Sequence, residues 1–328
     1  METRPLGRTG YRVSAIGFGA WALGGDWGDV TEEQGMAAMH TALDEGVTFF
    51  DTADVYGAGR SERLVARLRR ERPGEDFVVA TKVGRRLMPD VAGGFAEDRI
   101  EGWVDDSLRN TGFEALDLVQ LHCPPTDLYY RPELFDEMAR LRDAGKVLHW
   151  GVSVERSEEG MKAIEFPVVE TVQIVFNAFR QRPAEVFFPR AQALEAGVIA
   201  RVPLASGLLT GKMNRETTFA ADDHRAFNRE GEAFDVGETF AGVPFEVGVD
   251  AAEELRPLVP GGMTMAQFAL RWVLVFDAVS TVIPGAKNPD QARQNAAAAG
   301  FPPPSEETMA AIREVYDRRI RPHVHQRW

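Results

Sequence analysis

The chain has 328 residues, of which 37 are Lys or Arg and 50 are Asp or Glu, so its formal net charge at pH 7 is −13. Because phosphate backbones attract basic surfaces, so acidic a chain predicts no nucleic-acid partner. Hydrophobic residues make up 44% and charged residues 27%, which is typical of folded globular proteins. The single cysteine, Cys123, excludes an intramolecular disulfide and a thiolate metal cage, and it favours a reducing compartment.

The sequence contains no uninterrupted apolar run that approaches the ~18 residues of a membrane span. Polar residues also interrupt the N-terminal stretch before any long apolar segment forms. We therefore expect no membrane partner and a cytoplasmic location.

Short β-rich runs alternate with segments of helical periodicity along the chain. A helix is predicted from Thr31, where Thr31 and Gln34 fit a capping box, and further helices over Pro132–Ala144 and Thr264–Phe276. The runs between the helices are apolar nearly throughout, as parallel strands buried on both faces require. Eight strands are predicted, namely Val13–Phe18, Val47–Asp51, Phe77–Lys82, Leu116–His122, Val147–Ser153, Val169–Ile174, Val198–Leu204 and Val279–Ile283.

Eight such units over this length predict a closed (β/α)8 TIM barrel, which typically takes ~250 residues, with the surplus in loops and terminal helices. The competing fold is an open doubly wound sheet, whose nucleotide site would carry Gly-x-Gly-x-x-Gly after the first strand. The nearest glycines, Gly17, Gly19, Gly24 and Gly25, have the wrong spacing. We find no linker that divides the chain, so residues 1–328 are expected to form one domain.

Polar residues stand at the ends of five predicted strands. The carboxyl ends of barrel strands converge at the face where catalysis occurs, so these side chains are expected to surround one opening. Each alone has an ordinary explanation, such as a helix cap, a solvated strand end or a core histidine. The five residues are Asp51, Lys82, His122, Ser153 and Gln173.

Tyr56 lies in the loop after the strand that ends on Asp51. A phenol is a weak acid with a pKa of ~10, but a nearby cation such as Lys82 favours the phenolate and lowers the pKa. The sequence therefore predicts that Lys82 makes Tyr56 a usable general acid.

At these positions the sequence resembles the aldo-keto reductases. The segment Asp51-Thr-Ala-Asp-Val-Tyr56-Gly, together with Thr81-Lys82 and Gln120-Leu-His122, resembles that family's catalytic tetrad in order and strand position. Further matching segments run along nearly the whole chain. They are Leu6-Gly-Arg-Thr-Gly10, Gly17-Phe-Gly-Ala-Trp21, Gly151-Val-Ser153, Pro203-Leu-Ala-Ser-Gly-Leu-Leu-Thr-Gly-Lys212, and Ile283-Pro-Gly-Ala-Lys287 with Asn295.

The resemblance implies a barrel with an N-terminal β extension, a long loop over the cofactor and an extra C-terminal helix, which we expect at Ser305–Tyr316. It also implies an oxidoreductase that reduces aldehydes or ketones to alcohols, and the reverse, with NADP(H) preferred and NAD(H) tolerated. Tyr56 would protonate the substrate oxygen, Lys82 would tune Tyr56, Asp51 would hold Lys82, and His122 would orient the carbonyl. The partner is thus a small carbonyl or alcohol, and the oligomeric state is left open.

Substrate contacts are expected from Trp21, Tyr56 and His122, with Trp27, Met88 and Tyr129 also shaping the pocket. By the same resemblance, cofactor contacts are expected from Ala20, Trp21, Asp51, Ser153, Gln173, Arg201, Pro203, Leu204, Ser206, Gly207, Lys212, Gly285, Lys287, Gln291 and Asn295.

Two positions depart from the family's common pattern. Val154 stands where an Asn often follows the serine, and Arg201 stands where many members have an aromatic ring against the nicotinamide. A guanidinium can also stack on a planar ring, so Arg201 either takes that place or pairs with an acidic neighbour. The long segment 213–248 predicts a lid, with Arg225 or Arg229 as its clamp.

Two other functions remain open from the residues. One is a nicotinamide-binding module that senses redox state, as the potassium-channel β subunits of this superfamily are thought to do. The other is a metal-dependent barrel hydrolase. Such a hydrolase would need a His-x-His pair at the end of a barrel strand, and this sequence has none there. His323 and His325 near the C-terminus have no evident third ligand, so no metal site is predicted.

Overall fold

Eight parallel strands form the central sheet of the computed structural model, which describes residues 1–24, 30–85 and 97–328. Each strand pairs with its neighbours along the chain, from β3 to β10. Their bounds are β3 Phe18–Gly19, β4 Phe49–Asp51, β5 Val78–Val83, β6 Leu116–His122, β7 Val147–Val154, β8 Val169–Val175, β9 Gly197–Arg201 and β10 Val279–Val282.

Parallel contacts between the first and last strands bring the sheet around on itself. Bridges join Ile16 to Val282 and Gly19 to Gly285. The amide of Gly17 donates to Val282 O at 2.8 Å, and the amide of Gly19 donates to Pro284 O at 3.0 Å. The architecture is the predicted (β/α)8 barrel.

A short antiparallel hairpin, β1 Thr3–Pro5 with β2 Arg12–Ser14, precedes the barrel. Leu6 and Val13 pack in one buried cluster with barrel side chains such as Phe49 and Leu118. The turn fits closely, because a Cβ on Gly7 would lie 2.2 Å from the amide nitrogen of Gly197. The hairpin therefore closes the end of the barrel opposite the carboxyl ends of the strands.

Helices cover the outside of the barrel and include the extra C-terminal helix that the resemblance implied. Their bounds are α1 Glu32–Asp44, α2 Arg60–Glu71, α3 Glu97–Thr111, α4 Pro132–Asp143, α5 Ser157–Ala163, α6 Arg182–Val186, α7 Phe188–Ala193, α8 His224–Phe227, α9 Phe245–Leu255, α10 Met265–Val273, α11 Pro289–Ala297, α12 Glu306–Val315 and α13 Arg321–Val324. None of the helices in the described ranges is long and apolar enough to cross a bilayer.

Local sequence signals explain where several helices begin. At α1, Gln34 N donates to Thr31 Oγ1 at 3.2 Å and Thr31 N donates to Gln34 Oε1 at 3.0 Å, which confirms the predicted capping box. Ser305 caps α12 by accepting from the amide of Thr308. These caps satisfy amides that have no partner within the helix.

The prediction of Val13–Phe18 as one strand is wrong, because the structure divides this run between two elements. Its beginning belongs to the hairpin, where Val13 pairs with Arg4, and only its last residue belongs to β3. Ser14 lies at the division and its hydroxyl donates back to Ile16 O at 2.6 Å. Apolar character continues through both pieces because both are buried, so composition alone does not show the break.

Gly151 offers a test of how closely the strands pack. A Cβ at this position in β7 would lie 2.1 Å from Thr171 Oγ1 and 2.9 Å from Thr171 O on β8. We expect Gly151→Ala to lower the free energy of unfolding by about 1–3 kcal/mol, measured by urea titration. The control is Gly102→Ala in α3, where a Cβ meets nothing within 4 Å and helix propensity predicts a gain of up to ~1 kcal/mol. Equal stabilities of the two variants would contradict this view of the sheet.

Candidate active site

A cleft of about 370 Å³ opens at the carboxyl ends of the barrel strands. The strand register brings four of the predicted polar residues toward this end, because His122 pairs with Ser153, Ser153 with Gln173, and Lys82 with Gln120. Asp51, Tyr56 and His122 all line the cleft.

The centre of the cleft floor is a buried ion pair. Lys82 Nζ lies 2.5 Å from Asp51 Oδ1, and the two side chains are 1% and 3% exposed. The same ammonium donates to Thr52 O at 2.9 Å and to the hydroxyl of Tyr56 at 3.2 Å. Lys82 therefore has three oxygen acceptors, one of which is the phenol oxygen, as the sequence predicted.

Burial changes the acidity of the Tyr56 phenol in a way that the sequence does not predict. It raises the pKa of Tyr56 by more than the positive charge of Lys82 lowers it, so the pKa lies above the usual value of 10. Burial lowers the pKa of Lys82, but Asp51 and Tyr56 together raise that pKa by more than burial lowers it. The ammonium therefore remains charged. The expectation of a lowered Tyr56 pKa is corrected for the described structure, in which the phenol is protonated.

The second carboxylate oxygen of Asp51 is held by two amide side chains. Gln173 Nε2 donates to Asp51 Oδ2 at 2.7 Å, and Gln120 Nε2 donates to it at 3.2 Å. Gln120 is not among the predicted site residues, although it stands two residues before His122. Because side chains two residues apart share a face of a strand, that spacing was the available signal.

His122 lies beside the phenol, with its ring edge-to-face to Tyr56 at a centroid distance of 6.0 Å. Burial, and then the positive charge of Arg85, lower the pKa of His122 well below its usual range, so the imidazole is neutral. Arg85 Nη1 lies 3.2 Å from His122 Nε2. Arg85 is not among the predicted site residues, because it lies beyond the end of the predicted strand, three residues after Lys82.

Arg201 takes the second of its two predicted alternatives and pairs with acidic neighbours. Its Nη2 lies 2.9 Å from Glu155 Oε2, and its Nη1 lies 3.5 Å from Glu238 Oε2. Glu238 also lies 2.7 Å from Arg85 Nη2, so one carboxylate contacts two guanidinium groups. Arg201 still lines the cleft.

Two predicted cofactor residues are set back from the cleft. Ser153 is 1% exposed, and its hydroxyl lies 3.6 Å from the thiol of Cys123. Ala20 is fully buried, and its amide donates to Asp51 O at 2.8 Å. The other predicted cofactor residues all line it, namely Trp21, Asp51, Gln173, Arg201, Pro203, Leu204, Ser206, Gly207, Lys212, Gly285, Lys287, Gln291 and Asn295.

The loop after β9 is more internally bonded than expected. The amides of Gly207 and Gly211 donate to Leu204 O and Leu208 O within the loop itself. Ser206 adopts a φ of 52°, and its hydroxyl accepts from Phe240 N at 3.0 Å and donates to Glu238 O at 3.1 Å. The amides of Gly207 and Gly211 are therefore engaged within the loop in the described structure.

Two residues of the segment that is predicted to be a lid, residues 213–248, line the cleft, namely Arg225 and Glu238. Of its two candidate clamps, Arg225 lines the cleft and forms a bidentate pair with Asp223. Arg229 lies over the ring of Phe245 at 5.0 Å instead, in an aromatic cluster. The position of Arg225 agrees with a role at the cleft, and that of Arg229 with packing.

The turn after β10 brings a further cation to the cleft. Burial, and then the nearby Arg225, lower the pKa of Lys287. Gln291 Oε1 accepts from the amide of Lys287 at 2.8 Å, and Asn295 Nδ2 donates to Gly285 O at 3.1 Å. These two amide side chains therefore hold the turn while they line the cleft.

Aromatic rings form the wall beside the phenol. Trp21 lies nearly parallel to Tyr56 with a centroid distance of 6.2 Å. Tyr129 is fully buried and is not among the lining residues, so its predicted place in the pocket is wrong. Trp27 and Met88, also predicted there, lie outside the described residues.

Comparison with known proteins decides the family. The model of the aldo/keto reductase family matches residues 15–317. The chain belongs to this family. The aldo-keto reductase YhdN of Bacillus subtilis is 31% identical over 296 residues, which cover 89% of this chain and 86% of that protein.

Solved structures of aldo-keto reductases agree with the fold. A glycerol dehydrogenase from Gluconobacter oxydans matches with a TM-score of 0.78 at 32% identity, covering 98% of this chain and 96% of that one. An aldo-keto reductase from Bacillus halodurans, in its holo form, matches with a TM-score of 0.75 at 25% identity, covering 96% of each chain.

The ion pair on the cleft floor can be tested by a double-mutant cycle. Lys82→Met leaves the Asp51 carboxylate buried without its cation, and Asp51→Asn leaves the ammonium without its anion. Each change is expected to lower the free energy of unfolding by about 3–5 kcal/mol in urea titrations. The double variant should lose less than the sum of the two, because no uncompensated charge remains. Strictly additive losses would show that the two groups do not stabilise each other.

Proposed function

We propose that this protein is a nicotinamide-dependent oxidoreductase that interconverts small aldehydes or ketones and their alcohols, with Tyr56 as the general acid. The observation that carries the proposal is the 3.2 Å contact between the Tyr56 hydroxyl and the Lys82 ammonium at the cleft. Family membership supports the reaction class.

The proton transfer follows from the residues around Tyr56. Reduction needs a proton at the substrate oxygen as negative charge develops there, and the protonated phenol supplies it. The phenolate that remains lies against the Lys82 ammonium, and Asp51 keeps that ammonium in place. The dinucleotide, when bound, supplies or accepts the hydride.

The donor groups of the cleft fit a phosphorylated dinucleotide. Lys212, Arg225 and Lys287 line it, and three positive side chains suit the phosphate oxygens of such a ligand. Uncharged amides, among them Gln173 and Asn295, provide neutral donors and acceptors for its rings and ribose. We propose NADP(H) as the preferred cofactor, because Lys287 and Arg225 both line the cleft and provide positive charge for the 2′-phosphate that NAD(H) lacks.

A second candidate is a nicotinamide-binding module that senses redox state. A probable potassium-channel subunit beta of Arabidopsis thaliana is 29% identical over 311 residues, which cover 90% of each chain. The complete Asp51, Tyr56, Lys82 and His122 set favours the enzyme, because a purely sensing site has no need of a proton donor. The test is a panel of aldehydes, ketones and sugars, assayed with both cofactors by the change in nicotinamide absorbance. Turnover of an aldehyde would exclude the binding-only function.

Removal of the phenol hydroxyl tests the proposed acid. We expect Tyr56→Phe to reduce kcat by roughly 10²–10⁴-fold, because the proton donor is lost while the ring remains. NADPH affinity, measured by fluorescence titration, should barely change. Turnover near that of the wild type, under conditions where chemistry limits the rate, would show that another group donates the proton.

Lys287 tests the cofactor preference. A charge-assisted contact contributes about 1.5–3 kcal/mol to the free energy of binding. Lys287→Ala should therefore weaken NADPH binding roughly tenfold or more and leave NADH binding nearly unchanged. Arg293→Ala is the matched control, because Arg293 pairs with Asp290 and is not among the lining residues. Equal weakening of both cofactors, or a wild-type preference for NADH, would overturn the assignment.

A further inference from the structure

Two guanidinium groups and two carboxyl groups meet beside the cleft. Arg201 lies 2.9 Å from a carboxyl oxygen of Glu155 and 3.5 Å from one of Glu238, and Glu238 also pairs with Arg85. We call these four residues the charge cluster. None of the four side chains is more than 14% exposed, so solvent screens their charges little.

The protonation of the two carboxyl groups decides the net charge of the charge cluster. The four side chains are neutral together when both carboxyl groups are ionised, and they carry one net positive charge when one of the two is protonated. Glu238 is the group that stays ionised. Burial raises its pKa, but Arg85 and Arg201 together lower that pKa to about 2.

Glu155 is the carboxyl group that holds a proton. Among the described residues it contacts one guanidinium, and its Oε1 is buried without a hydrogen-bond partner. Such a site disfavours the charged form of the group. Burial, with the added effect of the Glu238 carboxylate, outweighs the positive charge of Arg201 and raises the pKa of Glu155 to about 8. The charge cluster is therefore positive at neutral pH.

The other titratable groups around Glu155 keep their charge state at neutral pH. Burial raises the pKa of the nearby thiol and of the nearby phenol well above the usual values, so both are protonated. Burial lowers the pKa of the third arginine to about 9, which still leaves it charged. The groups that face Glu155 besides the charge cluster are Cys123, Tyr129, Glu159, Arg180 and Asp235.

The charge cluster faces the end of the cleft where hydride transfer takes place under the proposed function. Arg201 and Glu238 line the cleft together with Tyr56 and His122. Arg201 Nη2 also lies 3.6 Å from Sγ of Cys123, the residue after His122. A hydride donor must reach the carbon whose oxygen contacts Tyr56, so the nicotinamide ring has to lie at this end of the cleft. That ring is neutral in NADPH and positively charged in NADP⁺.

We propose that Glu155 and Arg201 make the cleft discriminate between the two oxidation states of the cofactor, in favour of NADPH at neutral pH. The proposal rests on the proposed function and names specificity-determining residues for it. The positive charge cluster opposes the charged ring of NADP⁺ and has no such effect on the neutral ring of NADPH. Weak binding of the oxidised product favours reduction of the carbonyl substrate.

Glu155 acts on the cofactor by its charge and not by contact, because it is not among the described residues that line the cleft. When Glu155 ionises, the charge cluster becomes neutral and its effect on NADP⁺ disappears. The alternative is that Glu155 is ionised at every pH and only holds Arg201 in place. The charge cluster would then be neutral throughout and would favour neither form of the cofactor.

The ratio of the dissociation constants of NADP⁺ and NADPH separates these alternatives. We expect the wild-type ratio, measured by fluorescence titration, to fall roughly three- to tenfold between about pH 6.5 and about pH 8.5, as Glu155 loses its proton. Glu155→Gln cannot ionise and should keep the ratio at its low-pH value. Glu158→Gln is the matched control, because it removes an exposed carboxylate that pairs with Arg182, and it should follow the wild type. The same pH profile in wild type and Glu155→Gln would overturn the proposal.

Substitution of Arg201 tests the other half of the charge cluster. Arg201→Gln removes one positive charge, so the ratio at low pH should fall toward the value that the wild type reaches at high pH. Arg201→Lys retains the charge and should retain the ratio. A ratio at low pH that is unchanged in Arg201→Gln would show that the charge of Arg201 does not act on the cofactor.

Proton release provides a readout that needs no variant. Because NADP⁺ disfavours the positive charge cluster, its binding should ionise part of the Glu155 population and release a fraction of a proton near pH 8. Calorimetric titrations in two buffers with different ionisation enthalpies measure that fraction. The 2′-phosphate is present in both cofactor forms, so its own titration cancels in the difference between them. Equal proton release with NADP⁺ and NADPH would contradict the proposal.

The same titrations distinguish this proposal from the proposed function. If neither cofactor form binds, the proposed function is wrong and the proposal fails with it. If both forms bind and Tyr56→Phe loses turnover, but the ratio does not depend on Glu155, only the role of the charge cluster is wrong.

Discussion

A carboxylate and an ammonium lie in contact inside the barrel, and much of the active-site geometry depends on them. Removing two such charges from water costs several kcal/mol for each ion, and their mutual attraction compensates only when the remaining polar atoms are also satisfied. Here the carboxylate of Asp51 accepts from Gln120 and Gln173, and the ammonium of Lys82 donates to Thr52 O and Tyr56. Together with the ion pair itself, these partners come from four strands or their loops, so the site exists only when the barrel is assembled.

This dependence explains which parts of the molecule are readable from the sequence. The apolar runs predict seven of the eight barrel strands to within a few residues, because burial on both faces is a local property of composition. Polar residues close five of these runs, and three of the five, Asp51, His122 and Gln173, line the cleft. Val13–Phe18 is the exception, since hairpin and barrel strand are buried alike and the division leaves no mark in composition.

The remaining features depend on contacts that are distant in sequence. Arg85 and Glu238 are separated by 153 positions, and no spacing rule joins them. The pKa of Tyr56 depends on how deeply the phenol is buried, a quantity that the sequence motif does not contain. The loop at Ser206 and Gly207 contains small residues, and its composition does not show that the turn uses the Gly207 amide internally.

The surroundings of the cleft are supported by separate parts of the chain. Tyr56, Lys82 and Asp51 depend on adjacent barrel strands, whereas Arg85 is held by Glu238 and Phe234 from the long segment after β9. The same segment also packs His224 and Phe234 against Trp21, whose ring lies beside Tyr56. For protein engineering, substitutions in residues 213–248 therefore act on both sides of the cleft, and Glu238 is the position to leave unchanged because two buried guanidinium groups share its carboxylate.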